Sequence, residues 1–236
     1  MCDFFSFCTD GKNNRYFFYA GKREEICGTD LETDSHASIA EYFFKNSKHE
    51  DKLNKYEYNP LTKKFKIDQL NAKDDSVQAK RWVENLDFEK IEPGLVIKEI
   101  INPFDLPKKE VDEKVLKLLR EWQKVAASVR NSIWYSVWDS VLYSVRHSVR
   151  ASVWDSVLYP VQASVLAYVR TSVLTSVRTS GWASVWDSVL DSEIVYASSF
   201  FNLGKESWKD VGFDFEGDNP YQCAIELWEM GIVPSF

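Results

Sequence analysis

Few side chains in this sequence combine a reactive type with a useful spacing. Cys2 is the sharpest, because removal of Met1 would leave its thiol beside a free α-amine. Asp3 and Phe4 follow it, and the aromatic run DFFSFCTD is the composition of an ordinary strand start. His36 stands two residues after Asp34, a spacing that suits a general base with an orienting carboxylate and suits equally a helix-start cap near Ser35. His49 and His147 lie in polar stretches with no ligand pattern nearby. Cys2, Cys8, Cys27 and Cys223 show neither a CxxC pair nor a Cys/His spacing that zinc would require. No GxSxG, HExxH or phosphate-cradling glycine loop occurs. No catalytic residue, metal ligand or cofactor is therefore assigned from sequence.

The elements that would position such groups are clearest in the first half. DFFSFCTDGKNNRYFFYA predicts a hairpin with its turn at Asp10-Gly11. SHASIAEYFF predicts a short helix capped at Asp34 or Ser35, and KYEYNPLTKKFKI a second hairpin around Asn59-Pro60. Asp74, Asp75 and Ser76 offer caps for a helix through Ala79, Trp82 and Val83, and GLVIKEII reads as a buried strand. These make an α+β domain over residues 1–107. Residues 108–127 then form an amphipathic capping helix with Val111, Val115, Leu118, Leu119 and Trp122 on one side. Residues 193–236 form a C-terminal cap whose helix starts at Asp218-Asn219-Pro220 and stops at Gly231.

Between the caps, 128–192 hold a tetrapeptide repeat. From Ser128 the chain reads SVRN SIWY SVWD SVLY SVRH SVRA SVWD SVLY PVQA SVLA YVRT SVLT SVRT SGWA SVWD SVLD, 16 tetrads in all. At about 100° per residue each tetrad of a plain α-helix drifts about 40°, so the valine stripe would wind round the cylinder. Valine and serine are mediocre helix formers, and Pro160 would break the middle. SVWD recurs at 136, 152 and 184, offsets that are multiples of 16. Four tetrads per turn predict a four-sided β-solenoid of about four coils, 16 residues each, with rungs about 4.8 Å apart. Its core would be Val137, Val141, Val145, Val149, Val153, Val157, Val161 and Val165, with the flanking helices closing its two mouths.

In this tract the chain resembles the pentapeptide-repeat proteins, whose four-sided right-handed β-helix uses five residues per side where this one has four. The flanks MCDFFSFCTDGK and NPYQCAIELWEMGIVPSF resemble uncharacterised phage-type proteins with SVxx repeats. That resemblance implies a viral or mobile-element origin and, with it, residence in a host cytoplasm.

The third slot of the repeat holds Trp, Arg, Leu, one Gln and nothing else. Trp138, Trp154 and Trp186 share one column of the expected coil with Arg170 between them, an interaction face by composition. The same variety also fits single-base drift in an expanded DNA repeat, so both readings stand.

Over all 236 residues, 29 basic groups stand against 36 acidic ones, and Arg130, Arg146, Arg150, Arg170 and Arg178 nearly balance Asp139, Asp155, Asp187 and Asp191 inside the repeat. That speaks against a nucleic-acid binder and against an acidic mimic of duplex DNA. No apolar run reaches membrane-spanning length, no basic-then-apolar leader is seen, and scattered cysteines suit a reducing cytoplasm. The expectation is a non-enzymatic interaction or assembly protein, self-associating as a homo-oligomer or binding a host protein. The alternatives are an enzyme or small-ligand binder in the first domain, and a solenoid inhibitor of a host DNA-handling enzyme.

Overall fold

The computed structural model describes residues 5–26, 29–32, 34–126, 149–158, 192–208, 211 and 213–234. The chain divides into two compact units, Met1–Lys98 and Glu99–Phe236.

The first unit is built on a four-stranded antiparallel sheet with the order β2-β1-β3-β4. β1 spans Phe5–Thr9, β2 Arg15–Tyr16, β3 Asn54–Asn59 and β4 Lys64–Gln69. Both expected hairpins form. In the first, Thr9 pairs with Arg15, leaving a five-residue turn in which Asp10 Oδ1 accepts the Lys12 and Asn14 amides. Gly11 holds a φ of 72°, and a β-carbon there would sit 2.5 Å from the Lys73 carbonyl oxygen, so both conformation and space require glycine.

Alternation in β1 sends Phe5 and Phe7 to one face and Ser6 and Cys8 to the other. On the first face Phe5 meets Phe88 edge-on at 5.3 Å, and Phe7 meets Trp82 at 4.9 Å. Those partners come from α3 (Ser76–Val83) and α4 (Phe88–Ile91). On the opposite face Cys8 packs with Phe18, Ile26, Ile39 and Leu53, bringing in α1 (Ala20–Ile26) and α2 (His36–Phe44). Helices thus cover both sides of the sheet, and every residue of the inner strand β3 is buried. α2 starts where the sequence placed it, with the Ser35 side chain accepting from the Ser38 amide. GLVIKEII does not form the expected strand, since residues 96–100 carry no regular structure.

In the second unit, α5 (Glu113–Val125) begins six residues beyond Pro107, capped by Asp112, whose Oδ1 accepts the Val115 amide at 2.9 Å. Val111 is thereby left outside the helix and exposed, while Val115, Leu118, Trp122 and Val125 form its buried side. Expected to close opposite ends of a solenoid, α5 and the C-terminal helix (Gln222–Glu229) instead pack against each other, with Lys114 Nζ 3.2 Å from Glu226 Oε2. Residues 99–107 also belong here. The Ile101 amide donates to the Tyr196 hydroxyl at 2.8 Å, and Trp228 Nε1 donates to the Ile101 carbonyl at 2.9 Å. Gly231, at a φ of 82°, stops the C-terminal helix as a left-handed cap, with the Ile232 amide donating to Leu227 O.

The β-solenoid is overturned. The described part of the tract is helical: 149–153 form an α-helix that runs into a π-helix over Trp154–Leu158. Among the described residues, all strands lie between Phe5 and Gln69. Over ten residues the drift of a four-residue step is only about 80° even in a plain α-helix, and the wider π-turn, which closes i to i+5, reduces it further. Val149, Val153 and Val157 therefore share one side and are all fully buried. Tertiary burial of that stripe outweighs the β-preference of valine.

Candidate functional site

Three groupings in the first unit and two in the second bring polar chemistry together. The most elaborate centres on Asp75. Its Oδ1 accepts from Thr9 Oγ1 at 2.8 Å, Asn54 Nδ2 at 3.0 Å and the Tyr56 hydroxyl at 2.7 Å, while Arg15 Nη1 lies 3.4 Å from Oδ2. Asn54 also donates to the Lys73 carbonyl and accepts the Asn71 and Ala72 amides. Burial, then the bond to Asp75, raises the Tyr56 phenol above its ordinary range, so it stays a donor. With its carboxylate used this way, Asp75 makes no side-chain cap for α3. The network fastens the 71–75 loop to β1 and β3, a structural role.

Arg23 is a second buried charge, 2% exposed. It reaches Asp34 Oδ1 at 3.4 Å and Glu92 Oε2 at 3.0 Å. Asp34 is therefore engaged with Arg23.

His36 instead belongs to a third group. It is the first residue of α2, 5% exposed, and its Nε2 lies 3.2 Å from the Tyr56 carbonyl. A carbonyl can only accept, so Nε2 carries the proton and Nδ1 presents its lone pair when the ring is neutral. Nδ1 lies 3.8 Å from Asp68 Oδ2. Ligand atoms of His36, Glu57 and Asp68 all fall within 4.8 Å of one another. Glu57 is buried on β3 with Lys66 Nζ at 2.8 Å from Oε2. Asp68 lies at a bulge. Lys55 pairs with Gln69 and Tyr56 with Ile67, which leaves Asp68 opposite no residue of β3.

In the second unit a cleft of about 570 Å³ is lined by Glu121, Lys124, Phe213, Phe215, Glu216 and Cys223 among others. Burial pushes the Cys223 thiol up to about 11, so it is no nucleophile at neutral pH. Glu193, in the 192–198 helix, is 0% exposed, and neither carboxylate oxygen has a hydrogen-bond partner among the described residues. Burial pushes its carboxyl up to about 7, against the pull of Arg150.

Of the other residues raised by sequence, Cys8 is a buried thiol, and His49 stacks on Phe44 with centroids 4.0 Å apart. Trp154 is half-buried on the π-helix. Cys2, Cys27, His147, Trp138, Arg170 and Trp186 lie outside the described residues, as do Val137, Val141, Val145, Val161 and Val165. Sequence reasoning missed Glu57, Asp68 and Glu193, and read Asp75 as a helix cap rather than as the centre of a buried network. The hairpin alternation held a signal for Glu57, whose cross-strand partner is Lys66. Comparisons with family models, with curated proteins and with solved structures each found no match. Among the described residues, no helix is long and apolar enough to cross a membrane.

Proposed function

We propose that the chain is a non-enzymatic interaction protein that associates with a second copy of itself through third-slot residues of the repeat, Trp154 among them. The observation that supports this is the division of labour along 149–158. The valine slot is fully buried, whereas the third-slot residues Arg150 and Trp154 remain partly at the surface. Trp and Arg are the side chains most enriched where binding energy concentrates, because each combines large apolar area with a polar or charged edge. The same slot carries Trp at 138 and 186 and Arg at 170 in the sequence. A surface repeated in this way gives a self-complementary face without new chemistry.

The reading is tested by size-exclusion chromatography with light scattering over a concentration series. Wild-type chain is expected at twice one chain's mass or more, and Trp154→Ser is expected to weaken association about tenfold, the loss of about 1.4 kcal/mol at a contact. A wild type that runs as one chain at every concentration would reject it.

A further inference from the structure

We infer that His36, Glu57 and Asp68 form a binding site for a divalent first-row transition ion, of which Zn²⁺ is the best match to the donor set. Three observations carry this. First, the imidazole is oriented as a ligand. Its Nε2–H is committed to the Tyr56 carbonyl at 3.2 Å, which fixes the tautomer and turns the Nδ1 lone pair toward Asp68. Metal-bound histidines are held by such a bond on the far nitrogen.

Second, the donors are close enough to close on one ion. Nδ1 and Asp68 Oδ2 are 3.8 Å apart, and all three ligand atoms lie within 4.8 Å. Tetrahedral zinc with bonds of about 2.0–2.1 Å needs its ligands about 3.3 Å apart, so modest side-chain rotation completes the set. One imidazole nitrogen and two carboxylate oxygens are borderline-to-hard donors, which suits zinc and neighbouring divalent ions.

Third, a buried hydroxyl on the same side of the sheet lacks a partner. Ser6 pairs in register with Glu57, so their side chains share a face with β-carbons about 4.5–5.5 Å apart. Ser6 is 2% exposed and its Oγ makes no hydrogen bond among the described residues. Leaving such a hydroxyl unsatisfied costs about 1–3 kcal/mol. A water on the ion's fourth position would donate to the Ser6 oxygen.

Lys66 now neutralises Glu57, and it is the group an ion would replace. Its side chain is 54% exposed and can turn into water, whereas that of Glu57 is 3% exposed and cannot leave. Asp68, 40% exposed, marks the route by which an ion enters. Lys66 pairs with Glu57, so strand alternation carries Asp68, two residues further on, toward the same face.

The test uses the full chain under reducing conditions. Isothermal titration with Zn²⁺ is expected to show one equivalent bound at the sheet site, and Co²⁺ to give visible d–d bands. Asp68→Asn, a partly exposed position whose change leaves the core intact, is expected to weaken Zn²⁺ at least tenfold and to abolish those bands, the scale seen when even an outer-shell contact is lost. Asp87→Asn, at an exposed carboxylate elsewhere in the unit, is expected to bind as wild type. No Zn²⁺ binding below about 1 mM, or binding that Asp68→Asn leaves unchanged, overturns the inference.

Discussion

Glu193 and Asp75 are both buried carboxylates, yet they do opposite things to the fold. Asp75 accepts three hydrogen bonds on Oδ1 and faces Arg15 across Oδ2, so donors and a cation answer its charge. Among the described residues Glu193 has no such bonds, and burial lifts its carboxyl from 4.5 to about 7. Between those two values the folded chain holds a proton that the unfolded chain has released. Stability therefore falls as pH rises through that window, by on the order of 3 kcal/mol once it is crossed, and below it the penalty vanishes. Glu193→Gln keeps the shape and removes the titration. Its urea midpoint is expected to exceed wild type at about pH 8 and to match it at about pH 4.5. An equal difference at both pH values would remove Glu193 as the source.

At the scale of elements, the helix over 149–158 depends on its valine stripe. Val153→Ala is expected to cost about 2 kcal/mol in urea unfolding, through lost burial and the cavity left behind. Asp155→Ala, on the exposed side, should change stability by under about 0.5 kcal/mol. A Val153→Ala cost that small would detach the stripe from the core. The two hairpins and the α2 cap were legible in the sequence because turn residues and period-2 alternation act locally, at Asp10-Gly11, Asn59-Pro60 and Ser35. Residues 149–158 were misread because a drift of about 40° per tetrad, decisive over a long run, is small over ten residues, and a π-turn reduces it further. The cluster at His36 was hidden because its members meet only in the tertiary fold: alternation carries Glu57 and Asp68 toward one face, and no local signal says that His36 of α2 covers it.

For the whole molecule, the division at Lys98 yields a test of autonomy. Residues 1–98 contain the sheet, both helical layers and each partner of Arg23, and are expected to fold alone with a dispersed amide NMR spectrum. Residues 1–90 lack Ile91 and Glu92, which leaves Arg23 with one counter-charge and opens the core, and should lose that dispersion. Collapsed, undispersed signals from 1–98 would refute the autonomy of this unit. The mixed α/π geometry over 149–158 also sets a register. Val149, Val153 and Val157 keep to one side at a spacing of four, so one residue inserted between Val153 and Val157 would turn Val157 out of the core, and such a chain is expected to unfold at lower urea than wild type.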